Sequence, residues 1–248
     1  MASKIHLKIK RQHGPNQASF WEEFEVDYKP NMNVVSVLME IRKNPINKAG
    51  KETSPVVWEC NCLEEVCGAC SMIINGQPRQ ACSCLIDSLT QPIVLEPLSK
   101  FPIIRDLMVD RLLILENFKK VKAWTEIDGS FDLGPGPRFK ESERKEAYKL
   151  SLCMSCGCCL EACPNVNHKS AFIGPAALSQ VLLYNDTPLG SMTKEKRFEA
   201  IMVKGGLADC GNAQNCAEVC PKEIPLTVSI AKLNRATVKY AIGKWLKK

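Results

Sequence analysis

The sequence predicts an α+β protein, in which a small mixed-sheet domain precedes an all-helical domain. Three observations support this: apolar residues alternate near the start, glycine and proline cluster past the middle, and helical periodicity dominates thereafter. A chain of 248 residues is long enough for two domains. We predict a first domain at 1–105, a connecting helix and linker at 106–140, and a second domain at 141–248.

The first domain is predicted from strand and helix signals in chain order. Apolar and polar residues alternate over 5–9 and again over 24–26, which indicates a hairpin. Asn33 is a suitable N-cap for a helix that ends before Pro45. The remaining strands are predicted at 55–58, 71–76 and 92–97. Together they form a mixed sheet crossed by one helix.

The second half is predicted to be helical beyond a linker. Residues 106–123 have a helical pattern, and the Gly/Pro-rich segment 128–139 follows as the linker. Further helices are expected at 141–153, 177–185, 193–202 and 225–248. In the last of these the apolar residues are expected to be core: Val228, Ile230, Leu233, Val238 and Ile242.

Composition narrows the class of protein. The apolar fraction of 45% and charged fraction of 24% are those of a folded protein, and no apolar run is long enough to cross a bilayer. The net charge of +6 is scattered and the aromatic content is 6%, so no nucleic-acid partner is expected. The start MASKIHLKIKRQHG lacks the apolar run of an export signal. The fourteen cysteines are therefore interpreted as metal ligands rather than disulfides.

The first cysteine set has the spacing C-x4-C-x2-C, with a fourth cysteine eleven residues later. This is the plant-type [2Fe–2S] pattern. Gly68 and Ala69 keep the loop small, so backbone N–H groups could approach the cluster sulfurs. A zinc site with four thiolates is the alternative. The ligands predicted for [2Fe–2S] are Cys62, Cys67, Cys70 and Cys82.

The second half contains two ferredoxin-type runs. The segment 153–164 reads C-x2-C-x2-C-x3-C-P, and in proteins with two clusters the last cysteine of such a run ligates the other cluster. The segment 210–221 repeats the pattern with Ala213 in place of the middle cysteine. The crossing rule therefore predicts a [4Fe–4S] centre on four thiolates and a second centre on three. The four are Cys153, Cys156, Cys159 and Cys220, and the three are Cys163, Cys210 and Cys216.

A centre with three protein thiolates either loses an iron or keeps a fourth iron on a non-protein ligand. We favour [3Fe–4S]. Three cysteines remain outside both templates and are interpreted as buried packing residues, although one of them could replace a neighbouring ligand. These are Cys60, Cys84 and Cys158.

The three motifs, in the order plant-type loop and then crossed pair, resemble the iron–sulfur subunit of the succinate dehydrogenase/fumarate reductase family. The resemblance runs through NCLEEVCGACSMIINGQPRQAC, RDLMVD, CMSCGCCLEACPN and GGLADCGNAQNCAEVCPKEIPL. It implies a β-grasp ferredoxin domain joined to an α-helical ferredoxin domain. It also implies a flavoprotein partner with FAD, a membrane anchor where quinone reacts, and a peripheral position on the cytoplasmic face of the membrane.

The resemblance also indicates a branch of that family. Members that reduce ubiquinone carry a Trp five residues after the equivalent of Cys163 and a His directly after the equivalent of Cys210. Here these positions are His168 and Gly211. The segment CPNVN instead resembles the branch with a di-haem cytochrome b anchor, which implies haem b in the anchor and menaquinone rather than ubiquinone. His168 is expected to be solvated, with a proton or quinone role as the alternative.

Two other functions remain open at the level of sequence. One is the iron–sulfur subunit of another flavoprotein complex, of the glycolate oxidase or heterodisulfide reductase type; those usually lack the plant-type loop and often carry CCG repeats. The other is a zinc-stabilised interaction protein. No G-x-G-x-x-G segment follows a strand, so no flavin or dicarboxylate site is expected on this chain, and the direction of the reaction is not specified.

Overall fold

The computed structural model describes residues 4–126, 138 and 140–247. These residues belong to two compact units. The first comprises Met1–Arg111 and Met154–Ala162, and the second comprises Leu112–Cys153 and Cys163–Lys248. The predicted boundaries at 105 and 141 therefore differ from this division, because Met154–Ala162 packs with the first unit. Apart from Arg138, the predicted linker 128–139 lies outside the described residues.

The first unit is built on a five-stranded mixed sheet. The sequence predicted a mixed sheet here, although not the same set of strands. The strands are β1 Lys4–Arg11, β2 Phe20–Asp27, β3 Ser71–Ile74, β4 Gln77–Gln80 and β5 Ile93–Glu96. Their order is β2-β1-β5-β3-β4, with β1 parallel to β5 and the other pairs antiparallel. Helix α1, Val34–Lys43, packs its buried residues into the same core, which gives the β-grasp arrangement.

Local signals set the limits of these elements. Asn33 caps α1 through a capping box with Ser36, as expected of an N-cap residue. The β3–β4 hairpin turns at Asn75 and Gly76, whose φ angles of 49° and 79° suit the tight two-residue turns of hairpins. Strand β4 was not predicted because its residues Gln77–Gln80 are polar.

The strand predicted at 55–58 is not formed. Two of its backbone groups bond to the side chains of a buried ion pair, and the Val57 carbonyl accepts from the Leu107 N–H at 3.1 Å. Arg11 donates to the carbonyl oxygens of Ser54 and Pro55, and the Val57 N–H donates to Asp106 Oδ2 at 3.0 Å. Because Arg11 and Asp106 bond through their side chains, the bond between Val57 and Leu107 does not extend into a ladder.

The helix predicted at 106–123 begins later. Asp106 has a φ of 47° and forms a turn between two short strands, β6 Ile103–Arg105 and β7 Met108–Val109. Helix α2 then covers Leu112–Lys120. Positive φ is incompatible with a helical start, which explains the difference.

The second unit is helical. Its main helices are α3 Glu141–Ser151, α5 Pro175–Asp186, α7 Lys194–Ile201 and α9 Leu226–Leu246, with shorter helices α6 Pro188–Ser191 and α8 Asn215–Glu218. Another short helix, α4 Cys158–Ala162, belongs to the first unit. Over residues 4–126 and 140–247, none of the helices is both long enough and apolar enough to span a bilayer.

The prediction for the core face of α9 is partly wrong. Ile230 and Leu233 are buried, but Val228, Val238 and Ile242 are 52, 58 and 54% exposed. In a helix these three positions lie on one face, about opposite Leu233. Apolar residues therefore lie on two faces of α9, and only the face that contains Leu233 packs against the rest of the second unit.

Candidate functional site

The loop of the first cysteine set has no regular structure and directs backbone N–H groups at sulfur. The N–H groups of Glu64, Val66 and Cys67 donate to Cys62 Sγ at 3.3–3.4 Å. These three donors lower the pKa of the Cys62 thiol to about 6. Cys62 is therefore held as a thiolate at neutral pH, which is the form that binds iron.

The other three cysteines of the first set also form hydrogen bonds through their sulfur atoms. The Ala69 N–H donates to Cys67 Sγ at 3.4 Å, and the Cys67 thiol lies within hydrogen-bonding distance of Cys62. Cys70 and Cys82 are buried and hydrogen-bonded to each other, and burial raises the pKa of Cys70 to about 12. The structure thus brings Cys62 close to Cys67 and Cys70 close to Cys82, while their assignment to one [2Fe–2S] centre stays a prediction.

Gly68 packs the loop against the second cysteine-rich segment of the same unit. It has a φ of 72°, and a Cβ atom there would lie 2.9 Å from both the Cys156 Cβ and the Met154 carbonyl oxygen. The Gly68 carbonyl accepts from Arg111, whose Nη2 also donates to Glu59 Oε2 at 2.8 Å. Only glycine allows this approach, so the loop and residues 154–156 form one packed body.

The four cysteines predicted for [4Fe–4S] belong to different units. Cys156 and Cys159 are in the first, while Cys153 and Cys220 are in the second. The pKa of Cys156 is lowered to about 7 by a hydrogen bond with the Cys158 thiol, and Arg111 contributes. This ligand set remains a prediction from the spacing of the two runs.

The three cysteines predicted for [3Fe–4S] line one pocket of the second unit. Cys163, Cys210 and Cys216 face it together with Ala213 and Ile230. Burial, with Cys163 and Cys210 close by, raises the pKa of the Cys216 thiol to about 11. Ala213 occupies the part of the lining where a fourth thiol would complete the ferredoxin pattern.

The three cysteines outside the predicted ligand sets differ in burial. Cys84 and Cys158 are buried, and Cys60 packs against the sheet core. Within the described ranges, no three His, Cys, Asp or Glu side chains are gathered as a single metal ion requires.

Two family models match the chain. One is described as a 2Fe-2S iron-sulfur cluster binding domain and matches residues 6–116; the other, a 4Fe-4S dicluster domain, matches residues 149–224. The succinate dehydrogenase iron-sulfur subunit of Bacillus subtilis is 61% identical over 233 residues, covering 94% of this chain and 92% of that protein. The chain belongs to the succinate dehydrogenase/fumarate reductase iron–sulfur subunit family.

Other members and a solved structure agree with this assignment. The fumarate reductase iron-sulfur subunit of Wolinella succinogenes is 29% identical, with 88% of this chain and 90% of that protein covered. A chain of the Mycobacterium smegmatis Sdh1 complex in the apo form has the same fold, with a TM-score of 0.81 and 21% identity over 97% of this chain and 98% of that one. This iron–sulfur subunit is therefore an electron-transfer component of an oxidoreductase, with 2Fe-2S and 4Fe-4S binding domains.

One polar residue next to the predicted ligand Cys70 was not identified from the sequence. Gln80 of β4 is fully buried, and its amide contacts both Cys70 and Cys158. Its position two residues before Cys82 was the only signal in the sequence. His168 and Gly211, which the sequence singled out, are both exposed.

Proposed function

We propose that this iron–sulfur subunit passes electrons one at a time between FAD in a partner flavoprotein and a quinone at a membrane anchor. The subunit would use three centres, and dicarboxylate chemistry would take place on the flavoprotein. The centres and ligands are [2Fe–2S] on Cys62, Cys67, Cys70 and Cys82; [4Fe–4S] on Cys153, Cys156, Cys159 and Cys220; and [3Fe–4S] on Cys163, Cys210 and Cys216.

The observation that carries this proposal is the pocket of the second unit. It presents three thiols and, at Ala213, a methyl group in place of a fourth. Three protein ligands suit a cluster with three irons, and the cysteine spacing of the rest of the run is that of a cubane site. A single catalytic or structural ion would not need two ferredoxin-type runs.

The first site supports the same chemistry. An iron–sulfur cluster with four thiolates carries net negative charge, and N–H groups that point at its sulfurs stabilise that charge. The loop at Cys62 supplies four such donors to ligand sulfurs, from Glu64, Val66, Cys67 and Ala69. Cluster type, burial and these hydrogen bonds would set the reduction potential.

The quinone and anchor follow from the resemblance and from the surface beside the third site. An open groove next to Cys210 is lined by Asn165, Lys169, Lys204 and Gly211. Gly211 leaves this groove without the histidine of ubiquinone-reducing relatives, so we propose menaquinone. The anchor would be a cytochrome b with haem b, and the subunit would lie peripherally on the cytoplasmic face of the membrane.

The substitution Ala213→Cys tests the assignment of the third centre. It completes the C-x2-C-x2-C-x3-C run, so a fourth iron should be retained. Electron paramagnetic resonance (EPR) of the oxidised complex should lose its three-iron signal, and iron content should rise by about one per chain. Electron transfer from succinate to quinone should slow.

Ala217→Cys is the matched control, because Ala217 lies one residue after Cys216 but outside the ferredoxin pattern. It should keep the three-iron signal. If Ala213→Cys leaves the oxidised signal and iron content unchanged, the assignment of Cys163, Cys210 and Cys216 to a three-iron centre is wrong.

A further inference from the structure

Gln80 is a fully buried amide between two cysteine-rich segments of the first unit. Its Oε1 lies 3.5 Å from Cys70 Sγ, and its Nε2 lies 2.8 Å from Ser71 Oγ and 3.6 Å from Cys158 Sγ. Gln80 itself has no exposed surface. A buried amide is costly unless its polar atoms are bonded, so these sulfur contacts are part of its stabilisation.

We propose that Gln80 is a positioning residue that donates a hydrogen bond to the ligand sulfur of Cys70 and thereby raises the reduction potential of the [2Fe–2S] centre. The inference rests on the proposed ligand role of Cys70. Gln80 belongs to none of the ligand motifs and would act on the cluster only through Cys70.

The donor arrangement follows from the change in Cys70 on ligation. As a thiol, Cys70 donates to Gln80 Oε1. As an iron ligand it has no proton, so it can only accept. A half-turn of the amide places Nε2 at Cys70 and Oε1 near the Ser71 hydroxyl. The Ser71 hydroxyl, which otherwise donates to the Gly68 carbonyl, would then donate to Oε1, and the Gly68 carbonyl would keep its bond from Arg111.

Burial makes this bond effective. Reduction adds negative charge to the cluster, and an N–H aimed at a ligand sulfur stabilises the reduced state more than the oxidised state. Water does not reach Gln80, so the interaction is not screened by solvent.

The first test is a redox titration of Gln80→Met in the assembled complex, followed by EPR. Methionine is close to glutamine in volume and has no N–H donor. The one-electron reduction of [2Fe–2S] should become roughly tenfold less favourable, which is about 59 mV. The [3Fe–4S] potential should not change, because its ligands lie in the other unit.

Gln77→Met is the matched control. Gln77 is on the same strand but exposed, and its amide oxygen accepts from Arg79. Its [2Fe–2S] potential should equal that of the unsubstituted protein. Equal potentials in Gln80→Met and Gln77→Met would overturn the proposal.

A second measurement needs no substitution and decides the question if Gln80→Met does not fold. Protein is produced with ¹⁵N in the glutamine side-chain amide and examined by pulsed EPR in the reduced state. A ¹⁵N coupling to the [2Fe–2S] spin is expected, and its absence would overturn the proposal. If unsubstituted protein has no [2Fe–2S] signal, the proposed function fails; if it has the signal without the coupling, only the role of Gln80 fails.

Discussion

Gly68 shows how a single residue joins the two cysteine-rich segments of the first unit. The sequence suggested that its small size admits N–H groups to the cluster. In the structure those donors come from its neighbours, while Gly68 itself admits the backbone of Met154 and Cys156. That second reason was not predictable, since it depends on a segment more than eighty residues away.

The substitution Gly68→Ala is predicted to destabilise the first unit more than Gly76→Ala. Both glycines have positive φ, but an added Cβ meets the Cys156 Cβ and Met154 carbonyl only at Gly68 and finds open space at Gly76. Positive φ alone costs about 1 kcal/mol, and overpacking adds about 1–3 kcal/mol. Urea unfolding would measure both changes, and equal losses would contradict the packing described for Gly68.

The ligand sets could be proposed from the sequence because cluster binding imposes a fixed cysteine spacing. The supporting residue Gln80 was not, because any side chain is compatible with that spacing. Its role depends on the fold bringing β4 beside Cys158, which is 78 residues away.

At the scale of elements, a buried ion pair replaces the strand predicted at 55–58. Arg11 Nε and Asp106 Oδ1 are 2.9 Å apart, both side chains are fully buried, and Arg11 also contacts Glu22 at 2.6 Å. Sequence patterns identify apolar runs but not the distant charges that compete for their backbone groups. For this reason the hairpin and α1 were predicted correctly and this segment was not.

Asp106→Ala is expected to lower the free energy of unfolding by about 3–5 kcal/mol, because it leaves the Arg11 charge buried without its main partner. Thermal or urea unfolding would measure the loss. The exposed pair between Glu141 and Arg144 offers the control, since Glu141→Ala should change stability little. Comparable effects of the two substitutions would contradict the importance of burial.

The two faces of α9 give a further prediction. Leu233 is fully buried and Ile242 is 54% exposed. Leu233→Ala should therefore cost about 2–5 kcal/mol in unfolding free energy, while Ile242→Ala should cost well below that range. A large loss at Ile242 in the isolated chain would mean that its face packs against this same chain.

At the scale of the whole molecule, the fold class and cluster motifs were predicted from the sequence, but the division of the chain was not. Met154–Ala162 follows α3 in sequence, yet it packs with the sheet unit. The side chain of Glu161 accepts from Ser99 Oγ at 2.5 Å and from the Lys100 N–H at 3.1 Å. Two separate stretches of the chain therefore contribute to the first unit. Changes of composition along the sequence do not indicate this.

We propose that this one chain carries three iron–sulfur centres of different types. The most direct measurement is EPR of protein prepared without air, both oxidised and reduced with dithionite, with iron and acid-labile sulfide counted on the same sample. We expect a three-iron signal in the oxidised protein, [2Fe–2S] and [4Fe–4S] signals in the reduced protein, and about nine irons per chain. A colourless protein that contains zinc and no iron would contradict it.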